Sequence, residues 1–277
     1  MKTLSNTREL YYVEKGTGQP VIFIHGTLND FRIWHFQLEK FAQKYHAISY
    51  SRRYAYPNRW SGNSDDNNLT NNVEDLAELI IKRLNLSPAH LIGHSYGALI
   101  ALYMAHQHPD QVRTLVLGEP PAMSLLGGNK QYSRDIDKTR ENTFEESVQD
   151  AIRRGEKEKA VRIFLDGVTS KEGFFDQLQP QARAMIMDNV KSLGGELASA
   201  SISQRITQED IQKITKPTLL VRGELSPKFL HHIVDILAND MPNSEELVIP
   251  QQSHNLGRTE TPEVFNTGVL EFLSKYI

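Results

Sequence analysis

The chain is 277 residues long, enough to bury one large core and carry an insertion, and its formal net charge of −3 offers no basic face for counterion release on nucleic acid or anionic lipid. With no cysteine, disulfides, thiolate metal sites and a cysteine nucleophile are excluded together. Residues 1–16 carry no apolar leader core and no stretch approaches the roughly 18 apolar residues of a membrane span, so a cytoplasmic protein with neither a nucleic-acid partner nor membrane insertion is expected.

In chain order, ELYYVEKG (9–16) and PVIFIHG (20–26) read as strands joined across the turn residues Gly16, Thr17 and Gly18. FRIWHFQLEKFAQKY (31–45) has helical apolar spacing, and HAISYS (46–51) is a strand. LTNNVEDLAELIIKRL (69–84) reads as a helix with Thr70 or Asn71 as its N-cap. HLI (90–92) is a buried strand that runs through Gly93, His94, Ser95, Tyr96 and Gly97 into an apolar helix ending near His106 and His108. VRTLVLG (112–118) is a further strand, after which the alternation stops. From Ala122 to Arg205 the pattern is charged and helical, as in TFEESVQDAIRRG, EKAVRIFLDGV and QPQARAMIMDNVKSL. Strands return at KPTLLVRG (216–223) and EELVIP (245–250), separated by the helical PKFLHHIVDILANDM, and VFNTGVLEFLSKYI closes the chain as an amphipathic helix. Strands alternating with helices predict a mostly parallel sheet with crossover helices. The core domain is then 1–121 with 206–277, and 122–205 is a helical lid inserted into it.

The segment around Ser95 has the strand–turn–helix setting of a nucleophile elbow. A serine on so sharp a turn is pushed out of the sheet, and glycines at 93 and 97 give the crowded backbone room to pass. Tyr96 then starts a helix whose first amides and positive dipole end face a negative oxygen near Ser95, which makes the Tyr96 N–H an oxyanion donor. Acyl transfer further requires a base, an orienting acid and a second donor at the same sheet edge.

Taken together, HGT (25–27), GHSYG (93–97), LVLGEP (115–120), TLLVRGELSP (218–227) and QQSHN (251–255) occur in an order that resembles the α/β-hydrolase fold family with a helical cap. The resemblance covers the chain outside the lid. It implies a mostly parallel eight-stranded sheet flanked by helices, a cofactor-free and metal-free serine hydrolase, and a small acyl substrate such as an ester or lactone. It places the base at His254, in the loop after the last strand, and the second oxyanion donor at the Thr27 N–H. His25 is expected to brace that loop, while His106, His108, His231 and His232 have ordinary places on helices. Where relatives carry Gly-x-x-Asp, this chain has Gly223-Glu224-Leu225-Ser226, with serine in the place of the acid. Glu119, after the strand that follows the nucleophile helix, stands where some relatives, including certain haloalkane dehalogenases, carry their carboxylate. Glu224 is the rival acid, and a Ser–His dyad is the third arrangement.

Serine at the elbow argues against dehalogenase and epoxide-hydrolase chemistry, because those relatives attack with a carboxylate. A lyase or cofactor-free oxygenase on the same scaffold, or a ligand receptor, is the competing class. In the loop 49–60, Tyr54 and Tyr56 replace glycines usual in relatives. Arg52, Arg53, Arg59, Tyr54, Tyr56 and Trp60 there fit a carboxylate or aromatic substrate, or else Arg53 braces the loop internally and the aromatics pack beneath the lid. Phe164, Leu165, Phe174, Phe175, Met185 and Met187 fit either an acyl pocket or the lid's own core. Residues 153–159 and 192–196 read as exposed lid connectors.

Overall fold

The computed structural model describes residues 2–4, 10–59, 66–128, 144–202, 206–258 and 261–277. Eight strands form one sheet in the order β1-β2-β4-β3-β5-β6-β7-β8. They are β1 (Lys2–Leu4), β2 (Leu10–Lys15), β3 (Pro20–Ile24), β4 (His46–Tyr50), β5 (Ala89–His94), β6 (Val112–Gly118), β7 (Thr218–Gly223) and β8 (Ser244–Ile249). The β1–β2 and β2–β4 pairs are antiparallel, and all the pairs from β4 through β3 to β8 are parallel. Parallel strands covered on both faces must be apolar at consecutive positions. In β3, Ile22 and Ile24 enter one core while Val21 and Phe23 enter the other; in β6, Leu115 and Leu117 oppose Val116 in the same way.

The first of these cores is closed by helices α2 (Leu69–Glu74), α3 (Tyr96–Gln107) and α10 (Lys228–Asp240). The second is closed by α1 (His35–Phe41) and α11 (Pro262–Ser274). Every residue of α3 from Tyr96 to Ala105 is buried, which is why that helix reads as apolar all round rather than as one stripe. Between Met123 and Ile202 the described residues are helical: α4 (Phe144–Arg153), α5 (Lys157–Thr169), α6 (Phe174–Gln177), α7 (Pro180–Asp188) and α8 (Leu193–Ile202). They share a third apolar cluster, containing Phe164, Leu165, Phe175 and Ile186, with Phe174 and Met187 packed against it. A short helix α9 (Gln208–Gln212), begun by the reciprocal Thr207–Asp210 cap, leads back to the sheet. Parts of the expected lid boundaries, including Arg205, lie outside the described residues, as does Trp60.

The structure corrects several local expectations. The helix read over 31–45 begins as a 3₁₀ turn at Phe31–Trp34, capped by Asp30, and its α-helical part ends at Phe41. The cap of α2 is Asn68, whose side chain accepts from Asn71 N–H at 2.9 Å, not Thr70 or Asn71. That helix continues with π-type bonding over Asp75–Lys82. β1 has no counterpart in the sequence reading, because three residues are too few for a periodic signal. Of the two expected lid connectors, 153–159 is largely exposed, whereas Ser192, Leu193 and Glu196 are buried.

Candidate active site

The site lies where parallel strands of an open α/β sheet end in loops, the usual place for ligands in such sheets. Ser95 follows β5 with φ 53° and ψ −124°, a conformation unusual for a residue with a side chain. Its N–H is held by the Gly118 carbonyl at 2.7 Å. The glycines of the elbow are required by contact: a Cβ on Gly97 would lie 2.1 Å from the Ile24 carbonyl oxygen, and one on Gly93 would lie 2.4 Å from that of Gly97. Tyr96 opens α3, so its amide belongs to the first helical turn.

Glu119 follows β6 with φ 48° and is fully buried. Its Oε2 lies 2.6 Å from His254 Nδ1, and its Oε1 accepts from the Gly223 N–H at 2.8 Å. A carboxylate so placed fixes the ring with its proton on Nδ1 and leaves Nε2 as the acceptor. Glu224 is exposed and accepts instead from the backbone and side chain of Gln251, at 2.8 and 3.1 Å. Of the two candidate acids, the structure therefore brings Glu119 and not Glu224 to His254. At the position where relatives carry aspartate, Ser226 Oγ is buried and makes no hydrogen bond.

Ser95, His254, Thr27 and Tyr96 line one cavity of about 780 Å³, part of it open to solvent, with an apolar wall that includes Phe164 and Phe229. Phe164 thus serves both the lid core and the cavity, while Leu165 and Phe175 belong to the lid core. Met185 is buried as well. Glu145 lies on the wall, and burial raises its carboxyl above the ordinary carboxylate range. Among the described residues no group of three or more His, Asp or Glu side chains could hold a metal ion.

Two residues of the site escaped the sequence reading. Arg258 NH2 lies 2.9 Å from His94 Nδ1, and His94 Nε2 lies 2.6 Å from the His254 carbonyl oxygen. A guanidinium can only donate, so His94 Nδ1 accepts and its Nε2–H holds the backbone of the base. Burial, with the nearby Arg258 and His254 charges, keeps His94 well below the ordinary histidine pKa and hence neutral. His94 stands inside the elbow motif, but nothing in the sequence pairs it with a residue 164 positions away.

Two arginines of the loop 49–60, Arg52 and Arg53, are braces. Arg53 binds Asp75 through two hydrogen bonds, at 2.8 and 2.7 Å. Arg52 donates to the carbonyls of His25 and Gly26, and its own N–H donates to His25 Nε2. His25, donating from Nδ1 to the Gly26 carbonyl, braces the Thr27 loop as expected. Tyr56 is exposed, stacked by Arg32 at 4.3 Å, rather than lying beneath the lid. Arg59 is also exposed.

A family model for the alpha/beta hydrolase fold matches residues 19–259. The chain is 26% identical to an (E)-2-((N-methylformamido)methylene)succinate hydrolase of Acinetobacter baylyi over 98% of this chain and 96% of that one. It is 27% identical to the non-heme chloroperoxidase CPO-A1 of Kitasatospora aureofaciens over 96% of each. Among solved structures, a thermophilic esterase from Thermogutta terrifontis superposes with a TM-score of 0.78 at 20% identity, covering 99% of this chain and 98% of that one. No helix among the described residues is long and apolar enough to cross a membrane.

Proposed function

The chain belongs to the α/β-hydrolase fold family, and from that premise we propose that it is a serine hydrolase, free of cofactor and metal, that cleaves a small ester, lactone or related acyl compound in the cytoplasm. The observation that carries the reading is the 2.6 Å contact between Glu119 and His254 Nδ1, in a site whose cavity also takes in Ser95. With Nδ1 protonated and facing a carboxylate, His254 Nε2 is free to take the Ser95 proton as Oγ attacks the acyl carbon. The tetrahedral oxyanion is received by the N–H groups of Thr27 and Tyr96, a pair of donors worth several kcal/mol of barrier. His254 then gives the proton to the leaving group, and water, activated by the same ring, releases the acyl group from Ser95. The hydrolase name of the Acinetobacter relative and the esterase name of the Thermogutta structure lend support at the level of reaction class.

A second reading, non-hydrolytic chemistry on the same scaffold, draws on the chloroperoxidase name of the Kitasatospora relative. One experiment separates the two. A fluorophosphonate should label Ser95, identified by mass spectrometry, and Ser95→Ala should abolish turnover of p-nitrophenyl esters while leaving the fold intact. Undiminished ester turnover by purified Ser95→Ala removes the serine-hydrolase reading.

A further inference from the structure

The loop that carries Thr27 is gripped from the helical lid at three points. Leu28, the next residue, has φ 60° and is 1% exposed, its side chain lying in the lid's apolar cluster with Val148, Phe164 and Leu193. Asp30 is fully buried and accepts from the side-chain amide of Asn189 at 2.7 Å. Beneath the loop, Arg52 donates to the carbonyls of His25 and Gly26 and ion-pairs with Glu196 of α8 at 2.9 Å. The same guanidinium lies 4.9 Å from the Tyr96 ring.

Each grip answers a physical need that the core alone leaves unmet. A leucine at positive φ persists only where its surroundings over-determine it, and the cluster around Leu28 is supplied by the lid. Arg52 and Glu196 are each 1% exposed; removing either partner leaves the other charge buried without its counter-ion. Thr27 stands between the bonded carbonyl of Gly26 and the buried side chain of Leu28, so the direction of its N–H is set from both sides.

We propose that docking of the lid assembles the oxyanion site, with Leu28, Arg52 and Glu196 as positioning residues that aim the Thr27 N–H. Opening the lid then disables transition-state stabilisation as well as admitting solvent, so that closure over a substrate and catalytic competence are one event. The catalytic half of this inference rests on the hydrolase reading above; the structural half does not.

The test uses Glu196→Gln, which keeps size and a neutral hydrogen bond, and Leu28→Ala. Three quantities are measured: kcat and KM on a p-nitrophenyl ester, affinity for a trifluoromethyl ketone whose adduct with Ser95 places an oxyanion at the donors, and amide hydrogen exchange of the segment 25–30 in the resting protein. In each variant kcat and ketone affinity should fall together by about tenfold or more, since small misplacements of a donor cost this much. KM should stay within about twofold in Leu28→Ala, whose residue is not on the cavity wall, whereas Glu196 borders the cavity and the KM of its variant is not diagnostic. Exchange at 25–30 should accelerate in both variants while that of β5 and β6 does not. A lower Tm with unchanged kcat, ketone affinity and local exchange overturns the proposal, because it reduces these contacts to packing. If the wild-type protein cleaves no ester and Ser95 resists the fluorophosphonate, the hydrolase reading fails. The exchange measurement then still decides: unchanged exchange at 25–30 removes the lid's hold on the loop, and accelerated exchange upholds it.

Discussion

Replacing Glu119 with glutamine tests the assignment of the acid at the level of single hydrogen bonds. Both oxygens of the native carboxylate accept, Oε1 from the Gly223 amide at 2.8 Å and Oε2 from His254 Nδ1 at 2.6 Å. A glutamine offers one accepting oxygen and one donating NH2. If the oxygen stays on Gly223, the NH2 faces Nδ1, which must then accept, and the ring proton moves to Nε2, where it blocks the role of base. If the amide is flipped, two N–H groups oppose each other at Gly223 in a fully buried place, at a cost of about 1–3 kcal/mol. Either way the charge that stabilises the imidazolium is gone. We expect kcat to fall by about two to four orders of magnitude, with KM little changed because Glu119 is not part of the cavity wall. Glu224→Gln, which removes only contacts to Gln251 at the surface, should cost at most about tenfold. Ser226→Asp on the Glu119→Gln background should restore part of the rate, because by the resemblance it returns a carboxylate to the Gly-x-x-Asp position at which relatives carry their acid. Steady-state hydrolysis of p-nitrophenyl esters by the four proteins is the assay. A nearly silent Glu119→Gln beside a crippling Glu224→Gln would refute the assignment.

Stability should fall in acid. His25 and His94 are held well below the ordinary histidine value, chiefly by burial, and burial also lowers His90, to about 4. Their unfolded values near 6.5 lie above the folded ones, so their contribution is whole above that pH and drains away as pH falls. Each binds its proton more tightly unfolded than folded, so protonation across that range draws stability away; a Tm that is flat between pH 7 and pH 5 refutes this account. Asp75→Ala strands the buried Arg53 guanidinium and should cost about 3–5 kcal/mol, seen as a Tm lowered by roughly 10 °C; a loss within about 1 kcal/mol would make the pair dispensable. Limited proteolysis should cut first within the exposed 153–159 and spare the buried 192–196, and fluorophosphonate at Ser95 should slow the cut. A first cut inside 192–196 contradicts the packing of α8.

The sequence by itself carried what depends on neighbours along the chain. Apolar runs such as PVIFI and TLVLG mark strands covered on both faces, and Gly93 announces the elbow, because the backbone crowding it from Gly97 and Ala98 lies a few residues on, whereas Gly97 is crowded by Ile24 and His25 across the sheet. The ordered motifs carried the fold, and with it the loop in which His254 lies. The N-cap of α2 was misplaced by two or three residues because Asn68, Thr70, Asn71 and Asn72 all cap well, and only the backbone path decides between them. What the tertiary structure alone decided are pairings across great sequence distance. Glu119 and Glu224 follow neighbouring strands, and in the sequence only the resemblance to certain relatives put Glu119 ahead. The side chain that reaches His254, 135 positions from Glu119, is chosen by which strand end the last loop folds over. Arg52 illustrates the same limit: its neighbours along the chain left its role open, substrate contact included, yet packing buries it against Glu196, 144 positions away on the lid. A charge finds its partner through space, and a sequence records only the order in which the chain passes through it.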